Sequence, residues 1–324
     1  MAYFLISISN RVNLEICIRY ALAGFTNSIN GLWTFVDINE NDYVSFLYGA
    51  RVYNLYTVAE KIALKNADNL PPWPRVTFRM SGRSYYFPFR LKLQPIRQVT
   101  ESMVRAEFAY VAENLLLRGG YRKTHFQADQ TTLQSVSQMG DLYPSTPDKL
   151  DLDTYYEVFI PLFTWNRSLE SPPYVFCFKE IILQSIIRQW LSHNENLRNL
   201  FNACDLKNFS PENFEVLGEK AMSEGYIDIL IKDAVPAGYS RKVIIEVKNG
   251  AAQLKDLNQL KGYADEMGSE CLKAIIIARS FSRKVLREAQ REGISCFIYS
   301  FNGVDMMQSH AFNELKANFQ LLPV

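Results

Sequence analysis

Histidine is nearly missing from this chain: only His125, His193 and His310 occur in 324 residues. None stands in an H-E-x-x-H pattern or beside a matching cysteine, which argues against a histidine-centred metal site or a Ser-His-Asp triad. Cysteine is sparse too. Cys17, Cys177, Cys204, Cys271 and Cys296 form an odd, widely spaced set with no C-x-x-C. That pattern disfavours a zinc cage or a disulfide framework and fits a reducing cytoplasm. The glycine-rich phosphate loops and the G-x-S-x-G elbow are absent. No apolar run approaches the roughly 18 residues of a membrane span. The start, MAYFLISISN, lacks a basic n-region and a small-residue cleavage site, and reads as a strand. Charge of one sign is lacking as well: 35 Lys+Arg face 34 Asp+Glu. A polybasic protein is thereby excluded, but local basic faces are not. Enzyme chemistry in such a chain would rest on carboxylates, lysine and a divalent ion.

What is present is an ordinary core-forming composition, 48% hydrophobic and 21% charged, at a length that suggests two domains. Three regions differ in texture. Residues 1–124 are rich in aromatic and β-branched residues, with strands expected at Tyr3–Ile8, Tyr43–Tyr48, Asn54–Val58, Arg75–Met80 and Tyr85–Leu93 and a short helix at Asn13–Leu22. Residues 125–174 are acidic and proline-marked, the texture of a connector, although Val158–Trp165 is apolar enough to pack. Residues 175–324 alternate helix and strand. Helices are expected at Lys179–Phe201, Ala252–Met267 and Ser282–Glu292, and strands at Tyr226–Ile231, Lys242–Lys248, Lys273–Ala278 and Ile294–Tyr299. The class is α/β with a mixed sheet.

The chemistry concentrates in GYIDILI, VIIEVKNG and QLKGY. On a strand, Glu246 and Lys248 share one face while Val247 points to the other. If the two strands pair through the 232–241 turn, Asp228 approaches Glu246, and two carboxylates repel unless a cation lies between them. Mg²⁺ suits such oxygen ligands. Lys248 beside it could position a water and offset charge on a phosphate. Gln259 and Tyr263, four apart on the next helix, share a face and could orient the water or touch the phosphate. Glu180 could add a third carboxylate, with Glu195 and Glu219 as alternatives. Taken alone, E-V-K is usually a surface ion pair. Here the strand is otherwise apolar (Val243, Ile244, Ile245, Val247), and charge placed on such a strand costs free energy unless paired or in use.

This pattern resembles the PD-(D/E)XK nuclease superfamily, and within it the nuclease domain of the NucS/EndoMS type, over roughly residues 175–300. The residues that carry it are Glu180, Asp228, Glu246, Lys248, Gln259 and Tyr263, together with AIIIARSFSRKVLREAQREGISCFIYS. The resemblance implies an α/β/α domain in which Asp228 and Glu246 hold Mg²⁺ (Mn²⁺ able to substitute), Lys248 serves the water, and Gln259 and Tyr263 support the site. One departure is Ile227, where the superfamily name has proline.

In the first region no acidic residue occurs between Asp68 and Glu101, while Arg75, Arg79, Arg83, Arg90, Lys92 and Arg97 do, interleaved with Trp73, Tyr85, Tyr86 and Phe87. Basic residues hold phosphates and aromatics stack on extruded bases. Any one of these aromatics, taken singly, is better placed in a core. The order of elements resembles a YTH/EVE-type member of the PUA-like fold over residues 1–124, on YFLISISN, NLEICIRYALAGFTNS, NENDYVSFLYGARVYNLYTVAEKI and YYFPFRLKLQPIRQV. That resemblance implies a β-barrel reading a modified, often methylated, base. Phe25, Trp33, Trp73 and Tyr85 are the candidate walls, and Arg75, Arg79, Arg83 and Arg90 the candidate phosphate contacts.

Together the two resemblances imply a modification-dependent DNA restriction endonuclease: a reader at 1–124, a connector at 125–174 and a nuclease at 175–324. Its partner would be modified double-stranded DNA, and a homodimer would cut both strands. The alternatives are a mismatch or repair nuclease, and a non-enzymatic reader of methylated RNA.

Overall fold

The computed structural model describes residues 1–49, 51–65, 71–77, 82–99, 124–152, 154–222 and 225–324. They fall into two compact units, Met1–Phe176 and Cys177–Val324. Among the described residues no helix is long and apolar enough to cross a membrane.

The first unit is built on a seven-stranded sheet. Its strands are β1 (Tyr3–Ser7), β2 (Leu22–Phe25), β3 (Tyr43–Tyr48), β4 (Arg51–Ala63), β5 (Phe89–Gln98), β6 (His125–Ala128) and β7 (Asp141–Leu142). The order β2-β5-β4-β3-β1-β6 curls as a half-barrel with β2 and β6 at its ends, and β7 pairs with β5. β1 and β3 are parallel, and the other pairs are antiparallel. Helices α1 (Arg11–Tyr20) and α2 (Ile29–Asp37) follow β1 and β2, and α3 (Gln130–Ser137) follows β6.

The segment expected as a connector therefore contributes structure of its own to the first unit. β6 pairs with β1 from Tyr3↔Ala128 to Ile6↔His125, and Leu133 and Val136 of α3 join the core around Leu5, Leu47 and Leu55. His125 anchors it. The ring is buried, Nδ1 lies 3.0 Å from Thr34 Oγ1, Nε2 lies 2.9 Å from Asp37 Oδ2, and Trp33 packs on it at 4.5 Å. Buried polar groups persist when bonded in this way.

The second unit is a six-stranded mixed sheet. In sheet order its strands are β8 (Phe214–Ala221), β9 (Tyr226–Asp233), β10 (Lys242–Ala251), β11 (Cys271–Ser280), β12 (Ser295–Phe301) and β13 (Phe319–Pro323). β10, β11 and β12 run parallel, and the flanking pairs are antiparallel. On one face Ile244, Ile276 and Ala278 form a core with Leu257, Leu260 and Tyr263 of α6 (Leu254–Met267) and Val285 and Ala289 of α7 (Arg283–Arg291). The alternate residues Val243, Ile245, Val247, Ile275 and Ile277 are equally buried, and α4 (Glu180–Leu191) packs against β8, β9 and β10. The expected helix at Lys179–Phe201 is in fact two. It breaks at Ser192–His193 before α5 (Asn194–Ala203), where Ser192 Oγ donates to Arg188 O at 2.8 Å and Asn196 Nδ2 to Trp190 O at 2.8 Å. The Asn196 side chain thus takes a carbonyl at the end of α4 that a continuing helix would use. The last helix is α8 (Phe312–Ala317).

The β9–β10 hairpin decides where the site forms. Asp233 accepts from the Arg241 backbone at 2.7 Å and from its guanidinium at 2.6 Å, which pins the register Lys232↔Lys242 to Ile229↔Ile245. A one-residue slip would turn each inward side chain outward.

At the start of α2, Ser28 Oγ accepts from Gly31 N, and a Cβ on Gly31 would lie 2.0 Å from Thr26 O. Gly31→Ala is therefore expected to destabilise the protein by about 1–3 kcal/mol in urea denaturation, despite the better helix propensity of alanine. A gain in stability would show that the Thr26 turn yields to the methyl.

Candidate active site

The antiparallel ladder of β9 and β10 stops at Ile229↔Ile245, one residue short of Asp228 and Glu246. The two carboxylates thus meet where the strands part. Asp228 Oδ2 accepts from Val247 N at 2.7 Å, taking an amide that has no place in the ladder. On the other side β10 stays paired with β11, Glu246↔Ile276 and Lys248↔Ala278, so both side chains leave a fully supported strand.

Period two brings Glu246 and Lys248 to one face, as expected, and they bond: Lys248 Nζ lies 2.8 Å from Glu246 Oε1. Lys248 also donates to Glu180 Oε1 at 3.4 Å, and Asn249 N donates to Glu180 Oε2 at 3.0 Å. Glu180 thus reaches the cluster through Lys248 and the Asn249 amide, and Glu219 stands between the β8 residues that pair with Ile229 and Ile227, opposite Asp228. Glu195 is exposed at the start of α5.

Burial dominates the electrostatics. Desolvation, then the charge of Glu246, raises the Asp228 pKa well above the ordinary carboxylate range. Desolvation also raises Glu246, and Lys248 only partly opposes it. For Lys248 desolvation acts downward but is outweighed by the hydrogen bond to Glu246 and the charges of Glu246, Asp228 and Glu180, so its pKa is raised and the ammonium stays protonated. Glu246 Oε2 is buried with no hydrogen-bond partner. A buried acceptor left open beside a second buried carboxylate fits a divalent cation. Among the described residues no three His, Cys, Asp or Glu side chains cluster as a metal cage. Mg²⁺ needs no such cage, since it is held by one or two carboxylates and keeps several waters.

The site opens on a pocket of about 470 Å³ lined by Glu180, Lys248, Gly250, Ala251, Gln253, Lys255 and Asp256. Gln259 Nε2 donates to Tyr263 Oη at 2.8 Å, and among the described residues no hydrogen bond runs from either to Asp228, Glu246 or Lys248. Tyr263 is buried in the α6 core. A Cβ on Gly225 would lie 2.0 Å from its hydroxyl, so Tyr263 packs against the entry to β9, while Gln259 is exposed. Sequence reasoning missed Lys255 and Asp256 on the pocket wall. It also missed a basic run beside the site: from Cys271 to Arg287 there is no acidic residue, while Arg279, Arg283, Lys284 and Arg287 are exposed. The acid-free stretch was the available signal.

In the first unit the expected base-binding residues divide. Phe25 and Trp33 are buried side chains of β2 and α2, and Trp33 is committed to His125. Tyr85 is half-buried in a two-residue pair with Val76. Trp73 is buried against Phe87 and Arg90. Arg75 and Arg83 are exposed, and Arg79 lies outside the described residues. Arg90 departs from the expectation of a surface phosphate contact, because it is completely buried on β5.

No protein-family model and no curated protein matches the chain. Over 26% of its length it is similar to a solved complex of EndoMS with double-stranded DNA, with 28% identity, 35% of that chain covered and a TM-score of 0.22. Over 32% it is similar to a repair endonuclease from Pyrococcus abyssi, with 22% identity, 43% of that chain covered and a TM-score of 0.23. Over 88% it is similar to the MspJI restriction endonuclease in complex with a 27-mer oligonucleotide, with 9% identity, 62% of that chain covered and a TM-score of 0.19. The chain thus spans about a third of the EndoMS chain and under half of the Pyrococcus protein. With TM-scores this low, the chemistry of the site and not the likeness has to carry the function.

Raised carboxyl values mean that the native state binds more protons than the unfolded one, so metal-free stability should fall as pH rises above the ordinary Asp and Glu range. Mg²⁺ is expected to raise the Tm, and to do so more at pH 8 than at pH 5. Asp228→Asn is expected to leave the metal-free Tm at pH 8 unchanged or higher and to abolish the Mg²⁺ increment. Equal Mg²⁺ stabilisation of wild type and variant, followed by differential scanning calorimetry, would exclude this pair as the cation site.

Proposed function

We propose that the chain is a divalent-cation-dependent endonuclease that cuts double-stranded DNA carrying a modified base, with the second unit hydrolysing the backbone and the first binding the base. One observation carries the hydrolase reading: two buried, mutually repelling carboxylates, one with an open oxygen, beside a lysine held protonated.

Asp228 and Glu246 would hold the cation. When bound, it supplies Lewis-acid charge at a phosphate oxygen and lowers the pKa of an attacking water. The protein's own groups do the rest. Lys248 stays protonated, so it acts as a donor and not as the base. From its place between Glu246 and Glu180 it can fix the orientation of the water and bond the phosphate oxygen on which charge builds up. The water gives a proton to solvent in the open pocket and adds to phosphorus, the bond to the leaving sugar oxygen breaks, and that oxygen gains a proton from solvent. Lys255 at the pocket wall and the run Arg279, Arg283, Lys284 and Arg287 offer positive charge to the adjoining backbone phosphates. Each chain holds one such site, so breaking both strands calls for two copies or two successive nicks. In the first unit, exposed Arg75 and Arg83 and the Trp73 neighbourhood support base binding.

Duplexes of one sequence carrying methylated, hydroxymethylated, mismatched or plain base pairs, incubated with Mg²⁺, are expected to be cut only where modified. Asp228→Asn and Glu246→Gln should abolish cutting. Lys248→Met should slow it by on the order of 10²-fold or more with circular dichroism unchanged. Cleavage in EDTA, or at the wild-type rate by Lys248→Met, would return this cluster to a buried ion-pair network. Preferential cutting of the mismatched duplex would instead make the protein a repair nuclease.

A further inference from the structure

The strand that carries the site loses its register just past the site. β10 and β11 are paired from Val243↔Lys273 to Lys248↔Ala278, and the next pair is Ala251↔Ser280. Over that step β10 has one residue more than β11, which leaves Asn249 and Gly250 without register partners. Such a bulge bends the chain and re-aims the side chains around it. Asn249 is also the point where the cluster is tied to α4. Its amide donates to Glu180 Oε2 at 3.0 Å, and Glu180 Oε1 accepts from Lys248 Nζ at 3.4 Å.

Tyr299 holds Asn249 in place of the ladder. Its hydroxyl lies 2.8 Å from Asn249 O and 3.0 Å from Asn249 Oδ1, and it shares one proton between them. Tyr299 stands on β12, one residue past Ile298, which pairs with Ala278 of β11. The side chain therefore reaches over β11 to the second strand away, about 9–10 Å across the sheet. Its ring is 4% exposed, stacked on Phe319 with centroids 6.4 Å apart and set edge-on to Phe301 at 5.9 Å. Phenylalanine would make the same ring contacts. A buried hydroxyl is costly unless it is bonded, and here both acceptors belong to Asn249. Burial pushes the hydroxyl pKa up to about 12, so it remains a donor across the neutral range.

We propose that Tyr299 is a positioning residue for backbone cleavage: through Asn249 it fixes Glu180, and with Glu180 the place of the Lys248 ammonium. This rests on the reading of the second unit as a divalent-cation-dependent hydrolase, and adds to it a residue that touches neither the carboxylate pair nor the pocket. The ammonium has three donors. One goes to Glu246 Oε1 at 2.8 Å and one to Glu180 Oε1 at 3.4 Å, which leaves the third for the water or the phosphate oxygen. Once Glu180 is released from Asn249, the longer of these two bonds is lost first. Lys248 then turns about Glu246 alone, and its remaining donors have no fixed direction. Misplacing a group at the reacting centre by about 1 Å is enough to cost on the order of 10²-fold in rate. Duplex binding is unaffected, because the Tyr299 ring is buried.

The test uses the full chain in Mg²⁺ with methylated, hydroxymethylated, mismatched and plain duplexes, and single-turnover kinetics on whichever of them wild type cuts. Tyr299→Phe should slow the saturated rate by about tenfold or more, while the protein concentration giving half that rate, and the circular dichroism, stay as in wild type. Glu180→Ala should slow cleavage as well. In the double variant Tyr299→Phe should add less than about twofold to the loss from Glu180→Ala, because the tyrosine acts through that carboxylate. A core tyrosine with no such role would give losses that multiply. Wild-type cleavage by Tyr299→Phe, multiplying losses in the double variant, or a shift in the half-saturating concentration alone each overturns the positioning role and leaves the hydrolase standing. Wild-type protein that leaves all four duplexes intact overturns the hydrolase reading, and the positioning role with it.

Discussion

The second unit is organised by a repulsion. Asp228 and Glu246 meet where two otherwise apolar strands separate, and the strands cannot relax away from each other. β10 is held by β11 on one side and by the Asp233–Arg241 clasp at the far end of the hairpin. Val247 N is bonded to the Asp228 carboxylate itself. Lys248 neutralises part of the excess and Glu180 adds to it. The rigidity that forces two like charges together preserves their spacing for a cation, so packing of Ile244, Ile245 and Val247 is as much a part of the site as the carboxylates.

The first unit repeats the device with the sign reversed. Arg90 is a lone positive charge on β5, shielded by an indole and by no acceptor. In both units the buried charge is carried by an inner strand of its sheet. Natural proteins tolerate such local instability where function requires it and make up for it elsewhere in the core. Here the offset is visible as fully buried side chains around each charge: Phe89 and Leu91 beside Arg90, Ile245 and Val247 beside Glu246.

Much of the second unit was legible because strand alternation is a local rule. An apolar strand interrupted at Glu246 and Lys248 specifies one face from four letters of sequence, and the helix face shared by Gln259 and Tyr263 follows from spacing. What those two residues bond does not follow from spacing; they hold each other, and Tyr263 packs against Gly225. The choice of Glu180 over Glu195 depended on a helix break at Ser192–His193 that amphipathic periodicity runs straight through. In the first unit composition misled. Arg83 and Arg90 look alike in sequence, yet one is exposed and the other buried, because burial is set by which strands flank β5 and not by the residue. The acidic, proline-rich texture of 125–174 concealed a four-residue strand for the same reason: β6 is specified by its long-range pairing with β1.

That pairing has a bearing on how the chain can be divided. β6 covers the outer edge of β1, and His125 hydrogen-bonds to both Thr34 and Asp37. A polypeptide ended at residue 124 would remove the His125 bond to buried Asp37 and would offer the backbone of Tyr3–Ile6 as an open template to other chains, the usual start of edge-to-edge aggregation. A polypeptide ended after Phe176 keeps that edge protected, together with the Arg19–Asp148 ion pair. Solubility therefore turns on a boundary some fifty residues beyond the point where the aromatic, basic texture of the sequence stops.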